Sequence, residues 1–198
     1  MRQFGLVVLM ACGLGSGLAG CAPEPLTQAD LAQMAHPSAQ IRAQVEALTP
    51  AAMAELDPME ARILSEGRPL NAVETGYALK AGVHHPERVR VLAWQGRFPA
   101  PKDKALARVY KPGNALAITF GYGIAARQED PYLIAHELVH VAQYERLGGR
   151  EAFTREYLTQ ELVLGGYATP LEREAFKRGH RIAPVPAGAT RRWIESLD

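Results

Sequence analysis

The sequence predicts an α+β fold. Two short runs of β-forming residues lie in the middle of the chain, and capped helical segments follow them. With 198 residues, 47% of them hydrophobic, there is enough apolar matter for one core of ordinary size, and no internal repeat interrupts it.

The N-terminal segment reads as a processing signal and not as fold. Arg2 supplies a short positive region, an apolar stretch runs from Leu6 through Leu18, and small residues lead to Cys21. Leu18 to Cys21 spell LAGC, which resembles the lipobox of bacterial lipoproteins, where cleavage precedes the cysteine and the thiol carries a diacylglyceryl group. The resemblance implies a signal peptide over 1–20, a lipidated Cys21, and anchorage in the bacterial cell envelope. Ala22 in place of an aspartate implies, by the same resemblance, the outer membrane and its periplasmic face.

Cys12 falls inside that signal, so the mature chain would keep Cys21 alone. No internal disulfide and no thiolate zinc site can then form, and any metal must be held by histidine and carboxylate. Loss of Arg2 with the signal leaves 21 basic against 21 acidic side chains. A chain without net charge does not suit nucleic acid, and the membrane is reached through lipid and not through a basic surface.

Residues 21–56 are rich in Ala, Gln and Pro and read as a tether with short helices opening at Thr27, at His36 with Pro37, and at Thr49 with Pro50. The compact domain is expected over 57–198. Asp57, Pro58 and Glu60 suggest an N-cap, a first-turn proline and a capping-box glutamate, with the helix ending near Gly67. A second helix is expected from Asn71 to Lys80. The strand candidates are Val89 to Trp94 and Ala115 to Tyr122, with a turn at Lys111 to Asn114, giving a small antiparallel or mixed sheet. Asp130 and Pro131 then open a helix that runs to Gly148 and Gly149. Arg150 to Leu164 form the next, and a last one begins at Thr169 and Pro170 and stops near Gly179.

The first of these three helices carries the chemistry. Glu137 sits in an eleven-residue run, Tyr132 to Ala142, that is otherwise apolar except for His136 and His140. A carboxylate buried there costs several kcal/mol, or gives up its charge, unless something pairs with it. Histidines four positions apart project from one helix face, and two imidazoles so placed can take adjacent corners of a zinc tetrahedron. Glu137 beside the first ligand can act as general base toward an attacking water. The plainer alternative is two histidines bonded to carbonyls beside an exposed glutamate. A catalytic Zn2+ needs a third protein ligand, and no histidine follows within Val141 to Leu147. Glu172 and Glu174 are the nearest carboxylates on the last helix, with His180 beyond them. Glu172 also fits a capping box opened by Thr169.

HELVH followed about thirty residues later by E-x-E-A looks like the gluzincin arrangement, which membrane-bound heat-shock-type peptidases and ImmA-like peptidases share. That resemblance implies His136, His140 and Glu172 as zinc ligands and Glu137 as base. Those families usually carry Asp or Asn four residues after the ligand glutamate, where this chain has Phe176. Residues from about Leu70 to Leu147 also resemble short bacterial zincin domains. They imply a zincin-like domain with a small β-sheet, an active-site helix carrying HExxH and a following helix carrying the third ligand.

Around this centre the run Ala115 to Tyr122 is a candidate cleft edge for an extended peptide, or an ordinary core strand. Tyr157 and Tyr167 are candidate oxyanion donors. Gln143 lies near the zinc face or bonds a backbone group, and His84 and His85 belong to a solvated turn before Pro86. The expected function is a membrane-anchored zinc metallopeptidase acting on a peptide or protein substrate in the envelope. The alternatives are a catalytically silent zinc-bound lipoprotein that binds a partner, and a zinc amidase acting on cell-wall material.

Overall fold

Side-chain caps decide where most of the helices begin. A computed structural model describes residues 25–165 and 169–184, so Cys21 with its LAGC motif, and Tyr167, lie outside the described residues. Thr27 and Asp30 form a reciprocal capping box for α1, Gln28–Ala35, which buries no residue. Ser38 caps α2, Ala39–Glu66. Asn71 and Glu74 cap α3, Ala72–Ala81, which Gly82 closes with φ of 82°. Asp130 accepts from the amides of Tyr132 and Leu133 at the start of α5, Pro131–Arg146. A short helix α4, Leu106–Val109, precedes α5, and α6, Arg150–Val163, and α7, Pro170–Ile182, follow it.

The helix expected to open at Asp57 is the second half of α2, which runs unbroken through Pro50 and Pro58. An interior proline costs roughly 3 kcal/mol. Four large side chains of this helix, Ile41, Val45, Leu48 and Ile63, are buried, at about 1.5–3 kcal/mol each, which offsets two prolines. Residues 39–56 therefore do not form a tether: Ile41, Val45, Leu48 and Ala52 pack with Leu106 and with Leu158 of α6. Glu60 is accordingly no capping residue. Its carboxylate is buried, accepts the Tyr122 amide at 2.9 Å and pairs with Arg150, which also holds Asp57.

Among the described residues the sheet has four strands in the order β1-β2-β4-β3: β1 Arg68–Pro69, β2 Arg90–Ala93, β3 Ala117–Phe120 and β4 Gly123–Ala126. It is mixed, with β2 parallel to β4 and β3 antiparallel to it. The second expected strand yields β3, while β4 has no counterpart in the sequence reading. All four residues of β4 are buried, so the alternation that marks a half-buried strand is missing. The hairpin between them turns on Gly121, whose φ is +60°. A Cβ there would lie 2.2 Å from Glu60 Oε1, so both conformation and space call for glycine.

Ile134, Leu138 and Val141 of α5 pack with Val89, Val91 and Ile124 of the sheet region and with Ala78 and Ala81 of α3. α7 lies across α5. Gly179, expected as a stop, lies inside α7, where a Cβ would sit 3.1 Å from both Cα and N of His136. It lets two helix backbones approach, and α7 continues to Ile182. Among the described residues no helix is long and apolar enough to cross a membrane.

Candidate metal centre

From Tyr132 to Gln143 every residue of α5 is buried. The apolar members fill the core, and His136, Glu137 and His140 face the remaining side, 5–6% exposed. Where α7 crosses, Glu172 enters the same space. The two Nε2 atoms lie 3.1 Å apart, His136 Nε2 is 3.4 Å from Glu172 Oε2, and His140 Nε2 is 3.6 Å from Glu172 Oε1. Donors set tetrahedrally at zinc-ligand distances are about 3.3 Å apart. Two imidazole nitrogens and a carboxylate within 4.8 Å of one another thus fit a divalent cation, and they are the one such group among the described residues.

Electrostatics agree with that geometry. Burial alone would lower the pKa of His140, but the carboxylates of Glu172 and Glu137 and the Gln143 bond push it up to about 9. Burial would raise Glu172, yet His140 and His136 hold it well below the usual carboxylate range. The protein thus keeps an imidazolium beside a carboxylate when no other cation balances that charge.

The two glutamates of α7 diverge. Thr169 Oγ1 accepts from the Glu172 amide at 3.3 Å, so the cap is made, but the Glu172 carboxylate turns to the histidines and completes no box. Glu174, two residues and about 200° further round, meets Arg146 at 2.7–2.8 Å, Arg178 at 2.8 Å and the Gln143 amide at 3.1 Å. The Arg146 bond, helped by Arg178 and Gln143, outweighs its burial and holds it at about 2. His180 is half-buried near the end of α7 and outside the ligand group.

Glu137 answers to Thr119 of β3, whose hydroxyl donates to Glu137 Oε2 at 2.7 Å and lies 3.1 Å from the Glu137 carbonyl oxygen. Sequence reading missed Thr119. No local pattern signals it, because the contact spans 18 residues of sequence. Gln143 bonds a backbone group, donating to the Leu171 carbonyl at 2.9 Å, and in addition accepts from His140 Nδ1 at 2.8 Å, a bond not expected from the sequence. His136 Nδ1 is buried with no hydrogen-bond partner among the described residues, and the Phe176 ring packs with its centroid 4.5 Å from that of the imidazole.

A cavity of about 180 Å3 opens beside the group. Leu106, Leu133, Phe153 and Leu158 contribute apolar wall, and Tyr110 and Tyr157 meet edge to face with centroids 6.3 Å apart. Burial, then nearby carboxylates including Glu161 and Glu172, raises the Tyr157 pKa well above its ordinary value, so this hydroxyl keeps its proton and can donate. Among the described residues β3 pairs with β4 alone, which makes it an edge strand there, and residues 115–121 line the cavity. His84 and His85 stand apart from it: their rings are exposed, while their amides are held by Glu145 at 2.6 and 3.1 Å. Compared with protein families, with curated proteins and with solved structures, this chain finds no match.

Proposed function

We propose that this chain is a zinc-dependent metallopeptidase of zincin-like architecture, held at the cell envelope by lipid on Cys21. The observation that carries the reading is the meeting of His136, His140 and Glu172 next to a buried Glu137, at a cavity bordered by an edge strand. Zinc, held by the two histidines and Glu172, would supply Lewis-acid polarisation of the scissile carbonyl and a more acidic water.

The rest is the work of this chain's residues. An extended peptide pairs with the free edge of β3, which offers backbone donors and acceptors next to Thr119. Glu137 takes the proton of the attacking water on its carboxylate and returns it to the leaving amine. Thr119 holds one carboxylate oxygen, which fixes the orientation of the base. The Tyr157 hydroxyl donates toward charge that develops on the carbonyl oxygen, and the apolar walls exclude competing water.

Elemental analysis and a peptide library test the reading together. One zinc per chain is expected in the purified protein and in Glu137→Gln, with hydrolysis present in the first and reduced at least about 100-fold in the second. Zinc retained in both with no peptide cleaved by either would favour the partner-binding lipoprotein. Hydrolysis unchanged in Glu137→Gln would remove Glu137 from the chemistry.

A further inference from the structure

The two imidazoles are held unequally. His140 Nδ1 lies 2.8 Å from Gln143 Oε1, whereas His136 Nδ1 is buried without a partner among the described residues. Gln143 itself can take one orientation only. Its far end meets the Leu171 carbonyl at 2.9 Å and a Glu174 oxygen at 3.1 Å, and a carbonyl and an ionised carboxylate both accept without donating. The amide nitrogen must face those two groups, which leaves the amide oxygen for His140. A neutral His140 ring therefore carries its hydrogen on Nδ1 and presents the Nε2 lone pair toward His136 and Glu172.

Glu174 is anchored in turn. Arg146 and Arg178 grip it, and Arg178 also donates to the Ala81 carbonyl of α3 at 2.6 Å. Gln143 is fully buried, so water does not compete for its amide. The chain of bonds from His140 through Gln143, Glu174 and Arg178 to Ala81 ties one ligand to three helices. Among the described residues nothing equivalent ties the Nδ1 edge of His136.

We infer that Gln143 is the positioning residue that presents His140 Nε2 to the ion, with Glu174 as its anchor, and that His136 is the less constrained of the two nitrogen ligands. This rests on the metal-site reading proposed above. A Gln143 that only supports folding would matter to stability and leave zinc affinity alone.

Zinc affinity of the full chain, measured by competition with a chromophoric chelator, separates the two roles. Gln143→Leu keeps the volume and removes the acceptor, and is expected to weaken zinc binding by about 10–100-fold. Glu174→Gln leaves the Gln143 acceptor against His140 and only loosens its anchor, and is expected to weaken zinc binding by a smaller factor, within about tenfold. Wild-type affinity in Gln143→Leu would overturn the assignment, and so would a Glu174→Gln variant weaker than Gln143→Leu. A wild-type chain that takes up no zinc would instead overturn the metal reading and this inference with it. Should Gln143→Leu fail to fold, imidazole NMR of the zinc-loaded wild type decides. The hydrogen-bonded Nδ1 proton of His140 is expected at lower field than that of His136, and the reverse order would refute the proposal.

Discussion

Two helix pairs build this molecule by different means. α5 meets α7 through charged and hydrogen-bonding groups: His136, His140 and Gln143 on one side, Glu172 and Glu174 on the other. α2 lies along α6 through an apolar face in which Val45, Leu48 and Leu158 are interchangeable in kind, flanked by ion pairs of Arg150 and Arg155 with Asp57, Glu60 and Glu46. The first contact assigns each side chain a partner at a set distance. The apolar face of the second asks only for volume and burial, and it tolerates two prolines in the helix it stabilises. Changes at the polar crossing should therefore act on metal binding, and changes at the apolar one on stability alone.

The largest effect is expected where a ligand is lost. His136→Ala should abolish stoichiometric zinc, and Glu172→Gln should lose most of the affinity, because a neutral amide is a poor substitute for a carboxylate on a divalent cation. Glu174→Gln should keep zinc within about tenfold. Titrating the two glutamine variants side by side checks the assignment of α7. Equal affinities would erase the distinction between its two faces.

At the apolar contact, Leu158→Ala should destabilise the protein by about 2–5 kcal/mol in urea unfolding. The folded fraction should bind zinc as the wild type does. A matching loss of zinc affinity would mean that the two helix pairs are coupled after all. Pro50→Ala should act in the opposite sense, adding up to about 3 kcal/mol of stability if the proline imposes its full helix-interior cost. An unchanged unfolding midpoint would show that α2 already absorbs that cost.

The smallest effect is a pH dependence confined to the polar crossing. With its pKa raised to about 9, His140 contributes stability to the metal-free protein that is complete below about pH 6.5 and lost as pH rises through 9. Glu172, depressed, contributes above the ordinary carboxylate range and loses that contribution only as pH falls through its lowered value. Zinc must displace the His140 proton, so apparent affinity should climb between pH 6.5 and 9 and level off beyond. Calorimetry in two buffers of different ionisation heat should find about one proton released per zinc at pH 7.5 and none near pH 10. Equal release at both values would exclude His140 as its source.

Local chemistry was legible in the sequence and crossings were not. Asp130 with Pro131 announced α5, and the four-residue spacing of His136 and His140 announced a shared face, because caps and periodicity act within one helix. Glu172 and Glu174 stayed open because the choice depends on the angle at which α7 meets α5. Thr119 and Glu60 act across 18 and 62 residues of sequence, on Glu137 and Tyr122, and no local pattern carries such a contact. β4 escaped because a strand buried on both faces lacks the two-residue rhythm. Gly179 was misread for a related reason: glycine marks helix ends, but it also marks close approaches, and only the neighbour tells which applies.

Gly179 stands seven residues after Glu172, and Phe176 lies between them at the fourth, so all three fall on one stripe of α7 facing His136. The ligand and the contact that limits how close it comes are thus in phase along about 10.5 Å of helix. Substitutions leave such a phase intact, but one inserted or deleted residue between positions 172 and 179 rotates one end by about 100° against the other. Length, more than composition, is what this segment must preserve, and single-residue deletions there should uncouple the ligand from its stop while α7 remains a helix.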